Sequence, residues 1–177
     1  MQEDWFMTIN VKSPEHLLTM LAEQLDGTWN GHGTVQFPTM DTFEYSELLR
    51  FCWDEERHLL FYQQSTRLLP RDESSHAESG YLLIGPGNNL QWINVQSSGR
   101  CEVLECESGL QDIGDGEVEI SFLSSAIIND SRMISSRRRL CFDIDNTYLK
   151  YQQDMRTTTN DIMSNHLAAK LTKSEPA

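Results

Sequence analysis

From residue 28 onward the chain is a succession of short segments rich in aromatic and β-branched residues, broken at near-regular intervals by Gly, Asn, Asp, Pro and Ser. Segments of this length and composition are strands, and turn residues spaced so closely leave room for little besides hairpins. Ten strands are expected, at about 28–36, 41–53, 58–68, 78–85, 90–97, 100–107, 116–124, 132–144, 147–157 and 164–172. Turns are expected at Pro86-Gly87-Asn88-Asn89, Ser98-Gly99, Gly114-Asp115-Gly116 and Asp145-Asn146. Ten consecutive strands joined this way make an antiparallel up-and-down meander. Closing it into a barrel removes two unpaired edges and encloses a ligand-sized space.

One helix is expected ahead of the strands, over about 14–25. Ser13 can cap the first free amides, Pro14 suits the first helical position, and Glu15 complements the positive end of the helix dipole. Leu17, Leu18, Leu21 and Leu25 fall on one face, and Asp26-Gly27 supplies the stop. The helix is expected to cover one barrel mouth. With 177 residues, 38% of them hydrophobic, there is material for one core, so residues 1–177 are expected to form a single all-β domain, with a frayed tail over 173–177.

Charge narrows the function. A formal net charge of −13 repels phosphate backbones and anionic lipid, and the only basic run is Arg137-Arg138-Arg139. Neither a nucleic-acid nor a membrane partner is expected. The first residues carry acids where a secretory signal needs bases, and no apolar stretch approaches the roughly 20 residues that span a bilayer. A cytoplasmic location is expected. Cys52, Cys101, Cys106 and Cys141 form no C-x-x-C pair and are expected to be reduced thiols. There is no G-x-S-x-G and no H-E-x-x-H, so any enzymatic chemistry has to come from a cofactor.

The segment Gly27-Thr28-Trp29-Asn30-Gly31-His32-Gly33 has the form G-x-W-x-G-x-G. It is followed in order by Phe37-Pro38-Thr39, by Phe43, Tyr45 and Glu47, by Tyr62-Gln63 and Thr66, and by His76-Ala77-Glu78-Ser79-Gly80-Tyr81-Leu82. Val95-Gln96-Ser97-Ser98-Gly99, Leu149-Lys150-Tyr151 and the closing His166-Leu167-Ala168-Ala169-Lys170-Leu171 complete the series. In these residues the chain resembles the nitrobindin family from Leu18 to Lys173. It departs from the family pattern at Leu83, where Arg is frequent, and in a slightly longer stretch between Met155 and His166.

The resemblance implies one haem b per chain, with His166 as the axial ligand of the iron. It also implies an enzyme that isomerises peroxynitrite to nitrate at ferric haem and binds nitric oxide. Thr39 is a candidate for a haem propionate or the pocket edge, His76 for the distal side, and Arg138 or Arg139 for a propionate, against the alternative of solvated strand charge. Gly27, Gly31 and Gly33 open a strand rather than a helix, so they are expected to serve close backbone approach and not phosphate binding, with Trp29 in the core or pocket floor. Strand periodicity runs against one of these expectations: His166 shares a face with Ala168 and Lys170, while Leu167, Ala169 and Leu171 form the apolar face. The alternative function is a noncatalytic carrier of a fatty acid or other apolar molecule, for which His166 is dispensable. A homodimer formed through an exposed strand or the helix is a further expectation.

Overall fold

The computed structural model describes residues 13–36, 42–143, 145 and 147–174. Helix α1 (Pro14–Leu25) is followed by strands β1 (Gly27–Val35), β2 (Phe43–Asp54), β3 (Leu59–Leu68), β4 (Glu73–Ile84) and β5 (Leu90–Gln96). Then come β6 (Cys101–Gly114), β7 (Glu117–Ile128), β8 (Met133–Asp143), β9 (Tyr148–Thr157) and β10 (Asn160–Lys173). Each strand pairs antiparallel with its neighbour in sequence, and β1 pairs with β10 to close a barrel. No edge is left unpaired in that ring.

Helix α1 forms as its sequence dictates. The Ser13 side chain accepts from the His16 amide at 3.2 Å, and Leu17, Leu18, Leu21, Ala22 and Leu25 are buried. Each fully buried leucine contributes about 2 kcal/mol of apolar burial, more than the helix could draw from propensity alone. Trp29, at the start of β1, is fully buried and donates from Nε1 to the Leu25 carbonyl at 2.8 Å, locking the helix end to the barrel. Trp29 thus belongs to the plugged end and not to a pocket floor.

The glycines of the first motif act through contact. A Cβ at Gly31 would collide with the Lys170 carbonyl of β10, and one at Gly33 with the Tyr45 ring and the Ala168 carbonyl. They let β10 and an aromatic ring approach where the barrel seam closes.

Several strands outrun their sequence signal. β4 begins at Glu73 rather than 78, β6 and β7 extend to Gly114 and Ile128, and β10 begins at Asn160. Most residues of these added arms are exposed or half-buried whether polar or apolar, as at Ile113, Ile128 and Ile162, so hydrophobicity shows no alternation there even though the backbones pair. Gly99, Asn88, Gly114, Asp115 and Gly116 take positive φ in the expected turns, while Asn146 lies outside the described residues. The tail begins later than expected, since Lys173 ends β10 and the Ser174 amide donates to the Thr28 carbonyl at 2.7 Å.

The interior is not uniformly apolar. Towards α1 it holds leucines and a ring cluster in which Trp92 meets Tyr62 edge-on at 5.2 Å and Phe122 at 5.5 Å. Above that layer lies a buried polar one containing Glu47, Gln64, Glu78, Asn94, Gln96, Glu102, Ser136, Arg138 and Gln153.

Candidate functional site

β1 leaves α1 at Gly27 and ends at Val35, a run of about 30 Å at strand rise, so residue 36 lies at the barrel end remote from the helix. There a cavity of about 530 Å³ is lined by Gln36, Arg100, Asp130, Arg132, Met133, Met155, residues 157–160, Ser164, Asn165 and His166. Its size falls within the range of small-molecule and cofactor sites.

His166 reaches this cavity through a β-bulge. Asn165 pairs with Asp154 of β9 and Leu167 pairs with the adjacent Gln153, so His166 is an extra residue inserted between two consecutive pairs of the ladder. Such an insertion breaks the two-residue period and re-aims the side chain. Leu167, Ala169 and Leu171 continue inward as the pattern requires, and the bulge removes His166 from the Ala168–Lys170 face to which strict alternation assigns it.

On its other flank β10 pairs with β1 as far as Val35 and Leu167; just beyond, the Gln36 amide donates to the His166 carbonyl at 2.7 Å. His166 Nδ1 lies 2.9 Å from the Gln36 carbonyl oxygen. A carbonyl only accepts, so Nδ1 carries the proton and Nε2 the lone pair. Burial pushes the imidazole pKa down, the Gln36 bond pulls it back, and Arg100 and His76 push it down again. The net lowering favours the neutral imidazole, and the Gln36 carbonyl orients its tautomer with Nδ1 protonated, the form that ligates a metal ion through Nε2.

His76, on β4, stands across the barrel mouth from β10 and is near enough for its charge to act on His166. Its Nε2 lies 3.1 Å from Glu78 Oε2. Thr39 lies outside the described residues.

The arginines depart from expectation. Arg138 is neither solvated strand charge nor a cavity-lining cation: its side chain is fully buried. Its Nη2 donates to Glu78 at 3.0 Å and to Glu102 at 2.8 Å, Nη1 donates to Tyr151 at 3.0 Å and to Glu78, and the guanidinium lies over Trp92 at 5.3 Å. Burial alone would raise the Glu78 pKa; Arg138 and His76 reverse this and hold it well below the usual carboxylate range. Arg139 points to the outer face and pairs with Asp154 at 2.8 Å. Neither arginine is placed to meet a ligand in the cavity.

Sequence reasoning passed over the cations that do line it. Arg100, 12% exposed, sits 3.5 Å from Asp130, and Arg132 reaches the same carboxylate at 3.3 Å. Arg100 follows the Ser98-Gly99 turn and immediately precedes β6, a position without a hydrophobic pattern to reveal which way it points.

Comparison with known proteins agrees with the fold. A family model described as "THAP4-like, heme-binding beta-barrel domain" matches residues 18–173. The chain is 31% identical over 160 residues to an Arabidopsis thaliana protein named peroxynitrite isomerase Rv2717c, covering 90% of this chain and 91% of that one. It is 32% identical over 147 residues to a Nocardia farcinica protein named peroxynitrite isomerase, covering 82% and 84%. The crystal structure of Rv2717c from M. tuberculosis superposes with a TM-score of 0.75 at 24% identity, over 90% of this chain and 98% of that one.

Proposed function

Because the chain belongs to the THAP4-like, haem-binding β-barrel family, the nitrobindins, whose cofactor is haem, we propose that it holds one haem b on His166 and there isomerises peroxynitrite to nitrate. The observation that carries this reading is the bulged His166, neutral and oriented by the Gln36 carbonyl at the wall of a 530 Å³ cavity. Its donor chemistry fits the group: an imidazole nitrogen is a common axial ligand of haem iron, and a hydrogen bond from Nδ1–H to a carbonyl raises the basicity of the other nitrogen.

Held by His166, ferric haem would supply a Lewis-acidic centre for the isomerisation of ONOO⁻ to NO₃⁻ and a site for nitric oxide. The rearrangement conserves atoms and charge and calls for no second reactant. The protein's part is placement. His166 anchors the group at one wall, Met133 and Met155 give the cavity apolar surface, and His76, whose Nε2 lies 3.1 Å from Glu78, stands across the barrel mouth outside the cavity lining. The carrier reading gains no comparable support, because the interior beneath the cavity is occupied by the Arg138 ion network and packed rings where an acyl chain would have to lie.

Titration with hemin tests the proposal directly. The native chain is expected to form a Soret band at one equivalent, and His166→Ala to weaken binding by more than the roughly 10–100-fold that loss of an outer partner costs a metal site. The loaded native protein should then accelerate peroxynitrite decay in stopped flow. Equal hemin affinity in native and variant chains rules the proposal out.

A further inference from the structure

Arg100 is a guanidinium built into the wall of the cavity, yet it is incompletely spent. Its Nε lies 3.2 Å from Glu102 Oε1 without the alignment needed to donate, and it has no hydrogen-bond acceptor among the described residues. Its Nη1 is 3.5 Å from Asp130, at the limit of a useful contact. A guanidinium has five donors in a planar fork that matches a carboxylate or nitrogen oxyanion, so loose contacts of this kind hold it in place and leave donors for a ligand. Its surroundings sharpen the point: the chain carries −13 overall, and an anion approaching that surface is repelled unless a local cation receives it.

We propose that Arg100 is the anion-recognising residue of the cavity, binding an oxyanion through its guanidinium fork beside His166. This rests on the haem reading above. Two oxyanions share the required chemistry: the carboxylate of a haem propionate, and the nitrogen oxyanion that is substrate or product. Asp130, which shares the cavity wall, competes with the ligand for the guanidinium and so sets how strongly the ligand is held. Arg138 cannot take this part, because Glu78 and Glu102 already claim it.

The experiment compares the native chain with Arg100→Gln, Arg100→Lys and Asp130→Asn in two titrations: apoprotein with hemin and with hemin dimethyl ester, and hemin-loaded protein with nitrite and with neutral imidazole. Loss of a charge-assisted contact in Arg100→Gln should weaken the recognised anion roughly tenfold. Arg100→Lys, a point charge without the fork, should recover part of that loss. Asp130→Asn should shift the same affinity the other way, which keeps the test decisive even where Arg100→Gln folds poorly. If the ligand is a propionate, hemin binding changes, the dimethyl ester does not distinguish the variants, and nitrite is unaffected. If it is the substrate anion, nitrite changes and imidazole does not. The proposal is overturned if hemin and nitrite affinities stay within about twofold in both Arg100→Gln and Asp130→Asn, or if nitrite and imidazole weaken together. Failure of the native chain to bind hemin is a separate outcome that removes the haem reading itself, and this inference with it.

Discussion

Glu47 faces the barrel interior at 3% exposure, with Gln64 Nε2 donating to Oε1 at 2.6 Å and Oε2 without a hydrogen-bond partner among the described residues. Burial pushes its pKa up to about 7 from the ordinary 4.5; the Gln64 bond opposes this, and the Glu78 charge adds to it. Between those two values the folded chain binds more protons than the unfolded one, so Glu47 lowers stability as pH rises through the window. Glu47→Gln is therefore expected to stabilise the fold by about 3 kcal/mol at pH 8 and to have little effect at pH 4, as read by urea unfolding. Single residues of this kind were the least legible part of the sequence. Glu47 appeared there as a motif position and Arg138 as a propionate candidate or solvated strand charge. What buries them is contact with groups far along the chain, such as Glu78 and Glu102, 60 and 36 residues from Arg138.

The strands and the helix could be read with few errors, because α1 has a capping serine and a leucine stripe, and the core parts of the strands alternate. Alternation fails at local irregularities, and β10 has the decisive one. Two-residue periodicity places His166 outward; the bulge that reverses this is invisible to periodicity, since it consists of one residue inserted between the Asn165–Asp154 and Leu167–Gln153 pairs. Resemblance to a family pointed to His166 where the pattern did not. Deleting Asn165 should test the bulge: His166 would then pair opposite Asp154 and turn to the outer face. Hemin affinity should fall as far as in His166→Ala, while circular dichroism retains the β signal. Retained affinity would show that the bulge is not what aims the imidazole.

Arg138 belongs to the barrel as a whole. It stands on β8, yet its partners Glu78 and Glu102 stand on β4 and β6, so one guanidinium braces walls up to four strands apart. Arg138→Met should strip two buried carboxylates of the guanidinium they share and cost roughly 3–5 kcal/mol, measurable by denaturant unfolding. Adding Glu78→Gln and Glu102→Gln should return much of that loss, because the penalty lies in the stranded charges more than in the missing pair.

The seam between β1 and β10 has a consequence in time. During synthesis the first strand emerges with its glycine-bearing flank exposed, and its partner is the last strand of the barrel to appear. His166 travels on that late strand, and the carbonyl that fixes its tautomer waits at the end of β1. On the proposed role of His166, the binding wall is therefore assembled only when the ring shuts, so a nascent or broken chain lacking β10 would lack the ligand that holds the haem, and haem occupancy would report that the ring has closed.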